Sequence, residues 1–189
     1  PQGTIEHPFT VGELVLGAQG TFFARVIDTT PKFISEVMLE AARHDGTSVV
    51  EMLQNCVIFN DGAHKYITDK NYREDRQLIL KQGEPMIFGK NRDKGIKLGQ
   101  QGLEVVTIGE NGITEKDILI HDMTRKDPGI HLMLAKMKQP DFPIAVGVIR
   151  SAEAATYDQL MENQIVEAKA TSKIQCVDDL LNSGDTWEV

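Results

Sequence analysis

The apolar positions of this chain change period repeatedly over its first sixty residues. Thr10 and Glu13 form a T-x-x-E capping box ahead of Leu14, Val15 and Ala18, and Gly17 and Gly20 punctuate the end of a short helix. Thr21-Phe22-Phe23-Ala24-Arg25-Val26-Ile27 then reads as a buried strand. Thr30 before Pro31 is an N-cap and first-turn pair. The helix behind it places Ile34, Val37, Met38 and Ala41 on one face and stops at Gly46. Thr47–Leu53 is a second short strand. Strand, crossover helix, strand is the unit of a parallel α/β sheet.

After Cys56 the texture changes. Asn60-Asp61-Gly62 is turn chemistry. Residues 69–82 read as a polar, charge-mixed helix ending at Gly83. Pro85–Phe88 and Leu103–Val106 read as short strands, with a Gly- and Lys-rich turn between them. Asn111-Gly112 marks a turn. Asp127-Pro128 opens a helix with Ile130, Met133, Leu134 and Met137 as its apolar positions. Residues 144–149 form a strand, and a helix over Tyr157–Lys169 leads into an acidic tail containing Trp187. The pattern predicts an α/β protein: residues 1–60 belong to a parallel-sheet domain, and 61–189 form a C-terminal extension with short strands and helices.

Composition narrows the function classes. The 189 residues are 41% hydrophobic and 25% charged, which is globular rather than disordered. No apolar run approaches the roughly 18 residues of a membrane helix. The net charge of −8 disfavours a nucleic-acid binder, which needs clustered Lys and Arg. Residues 1–100 hold 12 basic and 13 acidic side chains, residues 101–189 hold 8 and 15, and the acidic half reads as solvated surface. Cys56 and Cys176 lie 120 positions apart without a C-x-x-C pair, so a reducing cytoplasm is expected. The opening residues Pro1–Thr4 show neither an initiator Met nor a secretory signal, and a piece of a longer protein is expected.

Ligands of open parallel sheets bind outside the carboxyl ends of the strands, and Cys56 falls at that end of the second strand. From spacing alone it reads as a buried or half-buried structural thiol, with a ligand role left open by the flanking amides and turn. Lys90, Arg92, Lys94 and Lys97 against Asp93 make a local basic turn. That turn is either a solvated loop or a site for an anion or an acidic protein face. His121-Asp122 reads as a hydrogen bond at an element end rather than an acid/base pair, since no Ser or Cys partner is in view. His7, His44, His64 and His131 show no metal-binding spacing. Cys176 is expected to pack or lie exposed, without a role.

Several segments together carry a family resemblance. They are Ala24-Arg25 with Asp28-Thr29, Gln54-Asn55-Cys56-Val57-Ile58-Phe59-Asn60-Asp61-Gly62, Phe88-Gly89-Lys90-Asn91-Arg92-Asp93-Lys94-Gly95-Ile96, His121-Asp122, and Pro143 through Arg150. In this order, from about Gly3 to Gln164, they resemble the β subunit of 2-oxoacid:ferredoxin oxidoreductases. Gln-Asn-Cys followed by Phe-Asn-Asp-Gly is most similar to the 2-oxoglutarate branch. The resemblance implies part of a thiamine-diphosphate-binding fold, with residues 1–60 as the C-terminal part of the cofactor domain. It implies an enzyme that uses thiamine diphosphate, Mg2+ and a [4Fe–4S] cluster to decarboxylate a 2-oxoacid, pass electrons to ferredoxin and acylate coenzyme A. It further implies an α subunit as partner, and Cys56 as the last of four cluster cysteines, tuned by Asn55 or nearby amides.

The chain departs from the family in having no Gly-Asp-Gly diphosphate segment and none of the other three cluster cysteines. The resemblance places both upstream of Pro1, with Pro1-Gln2-Gly3 ending the loop after the diphosphate segment. The expected protein is therefore the C-terminal two-thirds of such a subunit, with no catalytic residue of its own and inactive alone. The alternatives are the same enzyme class acting on pyruvate or another 2-oxoacid, and a truncated, non-catalytic assembly module.

Overall fold

A computed structural model describes residues 5–185 and residue 187; the expectation for Pro1-Gln2-Gly3 lies outside the described residues. The first helix, α1 (Val11–Gly17), leads into β1 (Phe22–Ile27), α2 (Pro31–Arg43) and β2 (Ser48–Leu53). Two one-turn helices follow, α3 (Lys65–Thr68) and α4 (Arg73–Arg76), then β3 (Gln77–Ile79), β4 (Ile87–Phe88), β5 (Lys94–Gly99) and β6 (Gly102–Thr107). A 3₁₀ turn at Glu115–Asp117 precedes α5 (Gly129–Lys136) and β7 (Ile144–Ser151), and α6 (Tyr157–Thr171) and α7 (Val177–Leu181) close the order. Contacts divide the chain into two compact units, one ending at Ala154 and one beginning at Ala155. Among the described residues no helix is long and apolar enough to cross a membrane.

The main sheet has four strands in the order β2-β1-β7-β3. β1 and β2 pair in parallel, from Phe22 opposite Ser48 to Ile27 opposite Leu53, as the crossover pattern predicts. β3 and β7 are also parallel. The sheet is thus mostly parallel, as the α/β pattern of the first sixty residues leads one to expect, but β7 enters antiparallel to β1 at its centre. Segments from either side of residue 60 thus share one sheet. The register of that central pair shifts between Phe23 and Ala24, so Ile149 is the extra residue of a bulge. Gly147, at φ +116, accommodates the bend beside it.

All six residues of β1 are buried, which explains why apolar residues fill both of its faces, with Arg25 as the one charged exception. On one face Phe22, Ala24, Val26 and Val148 meet Val37 and Ala41 of α2, with Phe33 and Ile34 packed against them. Met38, expected on that face, is exposed, because the buried stripe runs through Phe33, Val37 and Ala41 instead. The other face belongs to the larger cluster that joins Phe23 and Ile149 to Leu16, Leu134 and Ala135. Each such side chain contributes about 1.5–3 kcal/mol on full burial.

A second, antiparallel sheet, β4-β5-β6, packs Ile87, Phe88 and Ile96 into the same large cluster. Two local expectations fail here. The predicted helix over 69–82 is only α4, because Leu78 and Leu80 are buried while Ile79 is 44% exposed, the period of a strand. The expected Gly- and Lys-rich turn contains β5, whose Gly95 and Ile96 are buried between charged neighbours. Neither Thr10 nor Thr30 caps its helix through its side chain; Thr30 Oγ1 donates to the Ile27 carbonyl instead. Thr156 does cap α6 in a capping box with Gln159.

Candidate functional site

Residues 54–62 leave the carboxyl end of β2 and fold back on themselves. Asp28, just past β1, accepts the Asn55 N–H at 2.8 Å and so moors the loop to the neighbouring strand. The Asn55 side chain then closes it, donating to Asp61 Oδ1 at 3.0 Å and accepting the Gly62 N–H at 2.8 Å. Gly62 is at φ +78, a conformation that favours glycine. Inside this frame Cys56 and Asn60 form an isolated antiparallel bridge, with the Asn60 N–H donating to the Cys56 carbonyl at 2.9 Å.

The frame presents Cys56 to solvent, which corrects the buried thiol expected from spacing alone. Backbone N–H groups of Phe59, then Ile58, and more weakly Asn60, are directed at its sulfur and hold the thiol below the usual cysteine range. Donors converging on a thiolate are the environment that stabilises and tunes a metal-bound sulfur. Val57, Ile58 and Phe59 beside it are 72%, 83% and 89% exposed, so the reactive atom sits within an apolar, uncovered loop. Among the described residues no group of three or more His, Cys, Asp or Glu is gathered to hold a metal ion. Cys176 is exposed in the second unit.

The basic turn is divided by the fold. Lys94 pairs with Asp75 at 2.7 Å. Lys90 and Arg92 instead line an open cleft of about 500 Å³ with Thr29, Thr30, Arg73 and Lys81. The sequence did not mark Arg73 or Lys81 as neighbours of this turn. His121 and Asp122 do not form an acid/base pair. His121 Nε2 meets the Val148 carbonyl at 2.8 Å, and burial lowers its pKa. Asp122 accepts from Thr124 and Gln82, which bring its carboxyl to about 2.

Two arginines within the resemblance segments have internal roles that sequence reasoning missed. Arg25 is buried, with Nε 2.6 Å from Glu51 Oε2 and Nη2 donating to the Ala135 carbonyl in the last turn of α5 at 3.1 Å. Arg150 donates to the carbonyls of Gly20, Arg125 and Lys126 and contacts His131 Nδ1 at 3.0 Å. Both brace the main sheet whose strand ends carry Asp28 and the Cys56 loop.

No protein-family model matches the chain. It is 35% identical over 192 aligned positions to "2-oxoglutarate oxidoreductase subunit KorB" of Mycobacterium tuberculosis, an alignment that takes in all of this chain and 51% of that protein. It is 36% identical over 56 residues to "2-oxoglutarate synthase subunit KorB" of Archaeoglobus fulgidus, covering 30% of this chain and 21% of the relative. Among solved structures it is similar to 2-oxoglutarate:ferredoxin oxidoreductase from Magnetococcus marinus, a structure with 2-oxoglutarate, coenzyme A and succinyl-CoA bound. That superposition has a TM-score of 0.59 at 19% identity, over 98% of this chain and 48% of the other, and carries the fold alone. The chain spans about half the length of the mycobacterial relative.

Proposed function

From its homology, along the whole of this chain, to about half of the KorB subunit of the mycobacterial 2-oxoglutarate oxidoreductase, we propose that it is part of the β subunit of a cytoplasmic 2-oxoglutarate:ferredoxin oxidoreductase. The full-length homology is the observation that carries this reading. The assembled enzyme, with its α subunit, joins 2-oxoglutarate and coenzyme A. Succinyl-CoA and CO2 leave, with one proton, and two electrons pass to ferredoxin. Residues 1–60 are assigned to the end of the cofactor-binding domain and 61–189 to the subunit's extension.

Thiamine diphosphate and Mg2+ would be held by residues outside this chain, which has no Gly-Asp-Gly segment. No chemical step on that cofactor falls to the residues described here. A [4Fe–4S] cluster would store and pass the electrons, with Cys56 as one thiolate ligand. Support for that role is the exposed sulfur, its lowered pKa and the N–H groups of residues 58–60 around it. Asn55 acts through the loop, fixing Cys56 at the strand end by its three hydrogen bonds. Lys90, Arg92 and Lys94 form the basic turn assigned to an anion or to ferredoxin, Lys94 by anchoring it to Asp75.

In the assembled complex, Cys56→Ala should lose the iron of one cluster and its visible absorption, with ferredoxin reduction abolished. Unchanged iron content and spectrum would refute the ligand role. Methyl-viologen reduction by the wild-type complex should be fastest with 2-oxoglutarate across a panel of 2-oxoacids. Preference for pyruvate would move the assignment to another branch of the same enzyme class.

A further inference from the structure

Residues from Ala155 onward form the second compact unit, and its longest helix, α6, buries none of its side chains. At about 100° per residue, Tyr157, Leu160, Met161, Ile165 and Ala168 fall on one face of α6, interrupted by Gln164. Tyr157, Leu160, Met161 and Ile165 on that stripe are 77%, 56%, 38% and 45% exposed. Val166 stands alone on the opposite face. The Thr156–Gln159 capping box starts the helix, but fifteen residues with an uncovered apolar stripe are marginal as an isolated helix in water. The stripe calls for a cover.

The order of residues along α6 says what that cover is. Counted from Asn163, Met161 and Ile165 lie two positions to either side. Tyr157 and Ala168 lie six and five positions out, and Asp158 and Lys169 five and six. Turning the helix end over end about Asn163 therefore sets a large ring against a small methyl group, and an acid against a base, at both ends at once. Asp158 and Lys169 are eleven residues apart, about three helical turns, so they share one flank of the stripe. In a two-fold antiparallel pair, like flanks face each other, which is the self-complementarity an isologous contact requires. Asp158 is held in its charged form, because hydrogen bonds from the Thr156 side chain and nearby backbone lower its pKa. A lipid surface fits less well: the other charged residues of the helix, Glu162 and Glu167, are acidic, and anionic headgroups repel them.

We propose that α6 is a self-association surface, through which two copies of this chain pair as antiparallel helices about a two-fold axis at Asn163. Met161 and Ile165 of the two copies interdigitate at the centre. At each end Tyr157 covers Ala168 of the second copy, and Asp158 pairs with Lys169 of the second copy. One face of a helix about 22 Å long is a smaller contact than the roughly 800 Å² per partner of a standard interface. Association is therefore micromolar, and it weakens as salt screens the end pairs. The pairing stands independently of the enzymatic reading, since it uses none of the residues assigned to the cluster or to the basic turn.

The test is sedimentation equilibrium of the full 189-residue chain over about 1–300 µM, where a reversible monomer–dimer equilibrium is expected. Ile165→Asp should abolish the dimer and leave the first unit folded, because α6 buries nothing. Asp158→Lys and Lys169→Asp should each weaken the dimer about fivefold or more, and the two together should recover most of that loss. Each reversal also opposes the helix dipole at its own end, but such effects within one helix add rather than cancel. Recovery in the double variant is thus the readout that separates pairing between copies from the stability of α6 itself. The proposal is overturned if the chain stays monomeric throughout, if Ile165→Asp dimerises as wild type does, or if the double variant is no tighter than either single one. A monomeric chain whose α6 gains hydrogen-exchange protection only when the α subunit is added would hand the stripe to that partner and overturn it equally.

Discussion

Arg150 fixes the tautomer of His131. With Arg150 donating to Nδ1, the His131 proton must sit on Nε2, which meets the Asp122 carbonyl at 2.9 Å. Burial, and then the Arg150 charge, lower the His131 pKa, and burial lowers that of His121. Both histidines stay neutral in the fold while titrating near 6.5 in the unfolded chain. Below that pH the unfolded state binds more protons, so stability falls as pH drops from 6.5 toward the lower folded values, by up to about 1.4 kcal/mol per pH unit for each histidine. Urea unfolding at a series of pH values should show this loss, and His131→Gln should flatten it; an equal slope in the variant would count against the pairing. The residues around Cys56 single it out through the family resemblance, but its exposure could not be read from spacing. The roles of Arg25 and Arg150 left no trace in the sequence, since most of their partners are backbone carbonyls, some of them 110 to 130 positions away.

Elements were legible where one face stays buried for a full period. β1 and β7 carry such a run, and the chain places them where the pattern does; β2 and α6 also fall where expected, although β2 is only half-buried and no residue of α6 is buried. β3 and β5 are three and six residues long, amid charged neighbours, and their pairing partners rather than their own sequence make them strands. The antiparallel entry of β7 was equally illegible, because an apolar run carries no direction. Gly147 is the position in β7 most sensitive to substitution. A Cβ there would lie 3.1 Å from the Leu80 carbonyl oxygen and 3.4 Å from the Phe33 ring, at a φ that side chains resist. Gly147→Ala should therefore destabilise by about 1–3 kcal/mol. Gly17 ends α1 with nothing within 4 Å of the added carbon, so Gly17→Ala should be neutral or stabilising by up to about 1 kcal/mol. Thermal melts of the two variants check the contrast, and similar melting temperatures would contradict it.

For the whole molecule, the sheet matters more than the change of sequence texture near residue 60. A fragment of residues 1–60 would keep the β1–β2 pair and α2 but lose β7, α5 and the larger apolar cluster that covers Phe23. Expressed alone it should lack a cooperative thermal transition and expose apolar surface to a hydrophobic dye. A fragment that melts sharply would show that the first sixty residues fold by themselves. The position of β7 has a further consequence during synthesis. β1 leaves the ribosome more than a hundred residues before the strand that covers its second edge, so for several seconds of translation a mostly apolar strand stands with an open side. The nascent chain is then a natural client for a ribosome-associated chaperone, and slowing elongation between residues 60 and 144 should lower the soluble yield more than slowing it after Ser151.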